Sequence, residues 1–224
     1  MEPKLSKERI IHAAFDLLAE KQTIAGLSMR TLAVKLDIKA PALYWYFKNK
    51  QSLLQAMAEV MEDHLVLPDS SLPWNQQIAA FMANYYDLYT EFPCGAELEI
   101  HTIPAFPSRL LHLQQMMTLL KEAGFSIKQS HNTINALHHQ LIGQLMDQQQ
   151  EALLKQEVLR GQKDMQEYVQ FMHHFTKEHQ LRDMASVLAN RQKENPKQDF
   201  LTGVAIYLDG LTKFLENKHK EKSE

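Results

Sequence analysis

The sequence predicts an all-α protein with a small N-terminal three-helix domain and a larger helical C-terminal domain. Apolar residues recur at intervals of three and four along most of its 224 residues, the spacing that places them on one face of a helix. We find no strand-like alternation and no repeat. The segment 67–73, LPDSSLP, is the clearest break in the chain. It separates predicted domains at 1–67 and 73–218.

Two helices are predicted at the start of the chain. The first extends from Ser6, which can cap it, to about Lys21, because apolar residues form a stripe between them. Gly26 interrupts the chain after this helix. The second helix begins after Ser28, whose hydroxyl can accept from a free backbone N–H group.

Five consecutive bulky residues, 43–47, follow a predicted turn at 37–39. Pro41 suits the first turn of the helix between them, where its missing N–H has no cost. Each step rotates a helix by roughly 100°, so five neighbours cannot all face one small core. Tyr44 and Trp45 must therefore lie partly outside, as on a helix that reads a DNA groove. The alternative is a plain helical hairpin with surplus aromatic residues.

Basic residues are concentrated at the N-terminal end. Residues 1–50 carry nine basic and five acidic side chains, a net of +4, whereas the whole chain has a formal charge of −3. A basic head on an acidic body is what attraction to phosphate requires, although a chance fluctuation would look the same. A further helix is predicted from Asn49-Lys50 to about Leu65, and its N-terminus could bind a phosphate.

The stretch 27–50 resembles the DNA-binding head of the tetracycline-repressor (TetR-like) family. The positions that carry this resemblance are Ser28, Arg30, Leu32, Ala33, Leu36, Ile38, Pro41, Leu43, Tyr44, Tyr46, Phe47, Asn49 and Lys50. The resemblance implies nine DNA-contacting residues, which are Ser28, Arg30, Ala40, Pro41, Ala42, Tyr44, Trp45, Tyr46 and Lys50. Ser28, Tyr46 and Lys50 would anchor phosphates. Ala40 and Ala42 can meet only thymine methyl groups, so the operator should differ from that of the tetracycline repressors.

The helical pattern continues beyond the break. Predicted helices lie at about 74–89, 94–103, 108–123, 127–150, 165–178, 181–193 and 196–216, bounded mostly by proline and glycine. The polar segment 148–162 could extend one of these helices or form a loop.

This C-terminal part is most similar to the tetracycline-repressor subclass. The positions that carry the similarity are Trp74, Gly95, Ala96, Thr102, Pro104, Gly124, Phe125, Ser126, His139, Gly143 and Asp147. The resemblance implies a homodimer that packs the helices near 127–150 and 196–216 into a four-helix bundle. Gly143, Gly203 and Ala205 are small enough for close helix approach.

The same resemblance suggests an effector site. Its candidate residues are His64, Phe81, Tyr85, Glu99, His101, Thr102, Met116 and His139. The positions that hold the polar edge of tetracycline in that subclass are largely replaced here, Phe81 among them. Eleven methionines and several aromatic residues suggest an apolar or aromatic effector.

No resident cofactor is predicted. Glu99, His101 and Asp147 are weak metal candidates that could hold Mg²⁺ with a chelating effector. Glu99 and His101 point apart on a regular helix. His139 and Asp147 lie about 12 Å apart along one helix axis. Hydrogen-bonded or surface histidines are therefore favoured over a native metal site.

The leading hypothesis is a ligand-responsive homodimeric repressor that binds a palindromic operator and is released by a small-molecule effector. A DNA-binding regulator without an effector, structural or partner-regulated, is the alternative. An enzyme is disfavoured, because nothing in the spacing pairs Cys94 with a base and no phosphate loop or metal motif occurs. One cysteine, no secretory signal and no membrane-length apolar run predict a cytoplasmic protein.

Overall fold

All regular structure in the computed structural model is helical across the described residues, 5–190 and 195–221. The helices of the N-terminal region are α1 (Lys7–Lys21), α2 (Met29–Lys35), α3 (Pro41–Tyr44) and α4 (Lys50–Glu62). The remaining helices are α5 (Trp74–Glu91), α6 (Gly95–Ile100), α7 (Pro107–Glu122), α8 (Ile127–Leu159), α9 (Lys163–Glu178), α10 (Arg182–Asn190) and α11 (Pro196–Glu221). The predicted all-α fold class is confirmed. None of the described helices combines the length and the apolarity needed to cross a membrane.

Several helix boundaries differ from the predicted ones. A short 3-10 turn, Ile24–Gly26, which the sequence pattern did not indicate, lies between α1 and α2. The helix predicted to reach residue 103 ends at Ile100, because the residue before Pro104 is disfavoured in helical conformation. The segment 148–159 extends α8 to 33 residues instead of forming a loop. The predicted helix end near residue 193 lies outside the described residues.

The N-terminal helices pack around the N-terminal part of one continuous hydrophobic core. Side chains from each of α1 to α4 are fully buried there, among them Ile10, Leu18, Leu32, Leu43 and Leu53. The hydroxyl of Ser6 accepts from the Arg9 N–H, which caps α1 as predicted. This core fixes the orientation of α3, which is too short to be stable alone.

The C-terminal helices pack around α5, in the C-terminal part of the same core. This helix packs against α6, α7, α8 and α11, and α7 packs along α8. Phe81, Ile78 and Phe200 are completely buried in it. Helix α4 also contacts α6 and α7, so α4 joins the two parts of the molecule.

Candidate nucleic-acid interface and ligand cavity

The aromatic pair on α3 lies outside the N-terminal core, as the sequence indicated. Leu43 and Phe47 face inward and are buried, whereas 52% of Tyr44 and 89% of Trp45 remain exposed. The helix begins with Pro41 in its first turn. The two outward rings therefore form the tip of a small, rigidly packed head.

The other predicted DNA contacts surround this tip to different degrees. Ser28 caps α2, where its hydroxyl accepts from the Thr31 N–H at 3.0 Å. Arg30 is exposed, and Ala40 and Ala42 are half-buried. The structure thus places a guanidinium, small apolar surfaces and aromatic rings on the head.

Tyr46 and Lys50 are held inside the protein more firmly than expected for simple phosphate anchors. The Tyr46 hydroxyl donates to the Leu5 carbonyl at 2.7 Å. The Lys50 ammonium donates to the Ile24 carbonyl at 2.6 Å. Burial lowers the pKa of Lys50, and the Glu97 carboxylate opposes that shift. Contact of either residue with phosphate stays a prediction.

A cavity of about 360 Å³ lies among α5, α6, α7 and α8. Fourteen residues line it: Met82, Tyr85, Glu99, Ile100, Thr102, Pro104, Arg109, Leu113, Met116, Met117, His131, Ile134, Asn135 and His138. Its volume is within the range of small-molecule sites. Four of the predicted effector residues, Tyr85, Glu99, Thr102 and Met116, belong to its wall.

The other four predicted effector residues lie elsewhere. Phe81 is completely buried in the core. His64 is exposed, with Nδ1 2.7 Å from the Val60 carbonyl. His101 is exposed at the end of α6, with Nδ1 2.8 Å from the Glu97 carbonyl. His139 is exposed on the outer side of α8.

His138 lines the cavity, where the sequence led us to expect His139. One residue along a helix is a rotation of roughly 100°, enough to turn His139 outward and His138 to the cavity wall. The family resemblance named the right stretch of α8 and not the residue that faces the cavity.

A buried charge cluster forms one end of the cavity. Arg109 on α7 is 4% exposed and lies between two buried carboxylates. Its Nη2 is 2.9 Å from Glu99 Oε1 on α6, and its Nη1 is 3.6 Å from Glu62 Oε2 at the end of α4. We call Glu62, Arg109 and Glu99 the charge relay, because they connect α4, α7 and α6.

Two tyrosines surround the charge relay. The Tyr85 hydroxyl donates to Glu62 Oε1 at 2.6 Å, and Arg109 Nη1 donates to the Tyr89 hydroxyl at 3.3 Å. Arg109 also lies over the Tyr85 ring, with Cζ 4.9 Å from the centroid. Burial raises the pKa of both tyrosines well above the ordinary value, so both remain protonated donors.

The cavity end of the relay is ionised despite its burial. Burial alone would raise the pKa of Glu99, but the neighbouring His138 ring and the Arg109 guanidinium hold it below its ordinary value. Burial alone would lower the pKa of Arg109, yet the surrounding tyrosine and carboxylate oxygens raise it. The cavity therefore has fixed charges at one end.

Sequence reasoning missed Glu62, Arg109 and His138. One signal was available, since Glu62 follows Leu54 and Ala58 at intervals of four along the buried face of α4. A charged residue in such a stripe requires a partner. Nothing in the sequence identified Arg109 as that partner, because the two residues are distant along the chain.

The described residues contain no group of three histidine, cysteine or acidic side chains that could hold a metal ion. Glu99 is occupied by Arg109, His101 points away, and Asp147 is exposed on α8. Cys94 is also unsuited to nucleophilic chemistry, because burial raises the pKa of its thiol to about 12.

Two family models match the chain over most of its length. The model described as bacterial regulatory proteins, tetR family, matches residues 10–57, and the tetracyclin repressor-like C-terminal domain matches residues 67–215. The protein belongs to the tetracycline-repressor family. Members of this family are DNA-binding transcriptional regulators, not enzymes.

Curated relatives of the chain include several tetracycline repressors. The class A protein from transposon 1721 of Escherichia coli is 32% identical over 149 residues, which are 65% of this chain and 68% of that protein. The class D protein of Escherichia coli is 31% identical over 66% of this chain and 68% of its own length.

Solved structures share the fold over most of the chain. The tetracycline repressor of Acinetobacter baumannii AYE superposes with a TM-score of 0.70 at 22% identity, over 94% of this chain and 98% of that one. ActR of Streptomyces coelicolor in complex with actinorhodin superposes with a TM-score of 0.72 at 17% identity, over 95% of this chain and 99% of that one. BioQ with its double-stranded DNA operator superposes with a TM-score of 0.57 at 26% identity, over 73% of this chain and 97% of that one.

Proposed function

We propose that the protein is a cytoplasmic homodimeric repressor that binds a palindromic operator and releases it when a small molecule fills the α5–α8 cavity. The observation that carries this proposal is the connection between the two sites. The exposed rings of Tyr44 and Trp45 lie just before α4, and the opposite end of α4 carries Glu62 of the charge relay.

Helix α4 is also bonded at two points to the end of α6 and the segment that follows it. Near its beginning, Gln51 donates to the His101 carbonyl at 2.7 Å. One turn later, Gln55 donates to the Ile103 carbonyl and accepts from the Ile103 N–H. A ligand that moves the α6 end or Arg109 would therefore shift α4 and the head attached to it.

An outward face on α8 and α11 supports the dimer. Gln140 and Gly143 lie on α8, and an added Cβ at Gly143 would meet no atom within 4 Å. On α11, 69% of Ile206 and 47% of Phe214 are exposed at a spacing of eight residues. A twofold pairing through this face would present two heads to two operator half-sites.

The relatives support each part of the proposal by analogy. BioQ has been solved with its operator DNA, ActR with actinorhodin, and a variant of the Acinetobacter repressor with minocycline. The proposal does not include a magnesium-chelated effector, because the carboxylate of Glu99 is paired with Arg109.

Selection of duplexes from a random DNA pool tests the proposal. We expect enrichment of a palindrome whose half-sites are separated by about one helical turn or a multiple of it, bound by two subunits. Enrichment of no sequence, or of an unsymmetrical site bound by one subunit, would contradict it.

The effector is tested separately by screening a small-molecule library for ligands that raise the melting temperature. A cavity ligand binds only the folded state and must stabilise it. We expect such ligands also to release the selected duplex. A protein that binds its palindrome but responds to no ligand would be the effector-free regulator instead.

A further inference from the structure

The charge relay has one cation between two anions. Glu62 is fully buried, Glu99 is 8% exposed, and Arg109 is the sole guanidinium or ammonium group among the described residues lining the cavity. With Arg109 counted against both carboxylates, the relay carries one excess negative charge. A buried excess charge is costly unless a further partner compensates it.

Each carboxylate of the relay has a histidine ring beside it. On the α4 side, His112 Nδ1 lies 2.7 Å from Glu62 Oε1. On the cavity side, His138 Nε2 lies 3.4 Å from Glu99 Oε1. In the part of the chain that the structure describes, three buried atoms of this cluster have no hydrogen-bond partner, namely Glu62 Oε2, Arg109 Nε and His138 Nε2. Hydrogen-bonding capacity is therefore unfilled at both ends, and two of the three residues, Arg109 and His138, line the cavity.

Most of the remaining cavity wall is apolar, beside the polar residues Thr102, His131 and Asn135. Met82, Met116 and Met117 line it together with Leu113 and Ile134. Methionine side chains adapt to ligands of different outline and make favourable contacts with aromatic rings. The cavity thus combines an adaptable apolar wall with one acidic end.

We propose that the effector is a protonated organic amine with an aromatic body, whose ammonium group docks between Glu99 and His138. This inference rests on the proposed effector site. An ammonium supplies a positive charge beside the Glu99 carboxylate and N–H donors for its oxygens. A carboxylate ligand would add a second excess negative charge, and a neutral ligand would leave the first in place.

Occupation by an ammonium also explains release from DNA. A new cation beside Glu99 competes with Arg109 for that carboxylate, which favours the pairing of Arg109 with Glu62. Glu62 is at the end of α4, so the change in pairing is transmitted to the helix that carries the head.

The test compares ligands that differ in charge. The probes are phenyl-, naphthyl- and anthrylethylammonium ions, each matched with the propanoate of the same ring system, titrated calorimetrically into the full-length protein. We expect at least one ammonium ion to bind about tenfold or more tightly than its carboxylate partner, and to release the selected duplex. Equal affinity, a preference for the carboxylate, or no ammonium binding across the series would overturn the proposal.

A matched pair of variants locates the charge. Glu99→Gln keeps the side-chain shape and removes the negative charge, so ammonium affinity should fall about tenfold to a hundredfold. Glu122→Gln removes the same charge from an exposed residue at the end of α7 and should change nothing. Unchanged ammonium affinity in Glu99→Gln would place the site elsewhere and contradict the proposal.

The comparison of ammonium and carboxylate ligands uses the wild-type protein, so it remains valid even if Glu99→Gln folds poorly. Failure of this inference is also distinguishable from failure of the proposed function. If the protein binds a palindrome and is released by neutral or anionic ligands, the proposed function stands and the proposal of an amine effector is wrong. If the protein selects no duplex, the proposed function itself is wrong.

Discussion

The tryptophan at the tip of the head is left almost entirely in solvent. Trp45 is 89% exposed and Tyr44 52% exposed, although burial of a large apolar side chain is worth about 1.5–3 kcal/mol. Leu43 and Phe47 show that this segment has a core available. Two rings held outside it are best explained by a partner surface, and a DNA groove accommodates both rings and adjoining basic groups.

We expect Tyr44→Ala to weaken operator binding about tenfold to a hundredfold, because it removes a contact with the base edges or sugars. The dimer should be unaffected and the melting temperature should fall only slightly, since Tyr44 is 52% exposed. Electrophoretic mobility shift with the selected duplex measures the loss. Tyr168→Ala, which removes a 68% exposed ring from α9, is the control, and equal affinity of the two variants would exclude the assignment.

Glu99 should make stability depend on pH. Its pKa in the folded protein lies below the ordinary value of 4.5, so its ionised form stabilises the fold. That contribution is fully present above the ordinary value and is lost as the pH falls through the folded-state pKa. Glu99→Gln should therefore be less stable than wild type at neutral pH, by roughly 1–3 kcal/mol, and the difference should shrink in acid.

Urea unfolding at fixed protein concentration, from neutral pH to well below 4.5, measures this difference. Glu122→Gln serves again as the exposed control and should follow wild type throughout. A stability difference that stays constant across the range would show that Glu99 does not act through its charge.

At the scale of elements, α4 determines how the two sites communicate. Its N-terminus is closed by a capping box, in which Asn49 Oδ1 accepts from the Ser52 N–H at 2.8 Å and Ser52 Oγ accepts from the Asn49 N–H at 3.2 Å. The helix is thereby fixed at the end next to the aromatic tip. Gln51 and Gln55 fix it to the end of α6 and the segment that follows, and Glu62 pairs with Arg109 in the cavity wall.

Removal of the cap should loosen this helix measurably. We expect Asn49→Ala to lower the free energy of unfolding by about 1 kcal/mol, which lowers the melting temperature by roughly 2–4 °C for a chain of this size. Asn49→Asp retains an acceptor and should restore most of the loss. Scanning calorimetry compares the three proteins. Equal melting temperatures for Asn49→Ala and the wild-type protein would show that the cap does not limit stability.

At the scale of the whole molecule, the outward face of α8 and α11 is decisive. A monomer would expose Ile206 and Phe214 to solvent, and it would leave open space where a side chain at Gly143 would lie. Small residues permit two helices to approach closely, and the long α8 provides the length for such a contact. The proposed operator symmetry depends on this pairing.

We expect Gly143→Arg to convert the dimer to a monomer, because the added side chain would project into the proposed interface. The fold of the single chain should tolerate it, since a Cβ there meets no atom within 4 Å and arginine favours helix more than glycine. Sedimentation velocity gives the mass. Gln76→Arg, on the exposed first turn of α5, is the control, and an unchanged dimer in Gly143→Arg would exclude α8 as the interface.

The sequence by itself determined the helical class, the capped starts of α1 and α2, the start of α4, and the outward position of Tyr44 and Trp45. These follow from local chemistry, namely hydrogen bonds between near neighbours and a rotation per residue that forbids five adjacent side chains from sharing one core. The head also has a short motif whose spacing is independent of distant residues. Its family could therefore be identified from a stretch of about two dozen positions.

Only the tertiary structure decided which residues line the cavity and how they pair. Glu62, Arg109 and Glu99 are on three different helices, and their pairing depends on how those helices cross, which no local pattern records. The choice of His138 over His139 depends on the rotation of α8 about its own axis, set by packing along its full length. Side chains that act through distant partners become visible only when the core has brought those partners within a few ångströms.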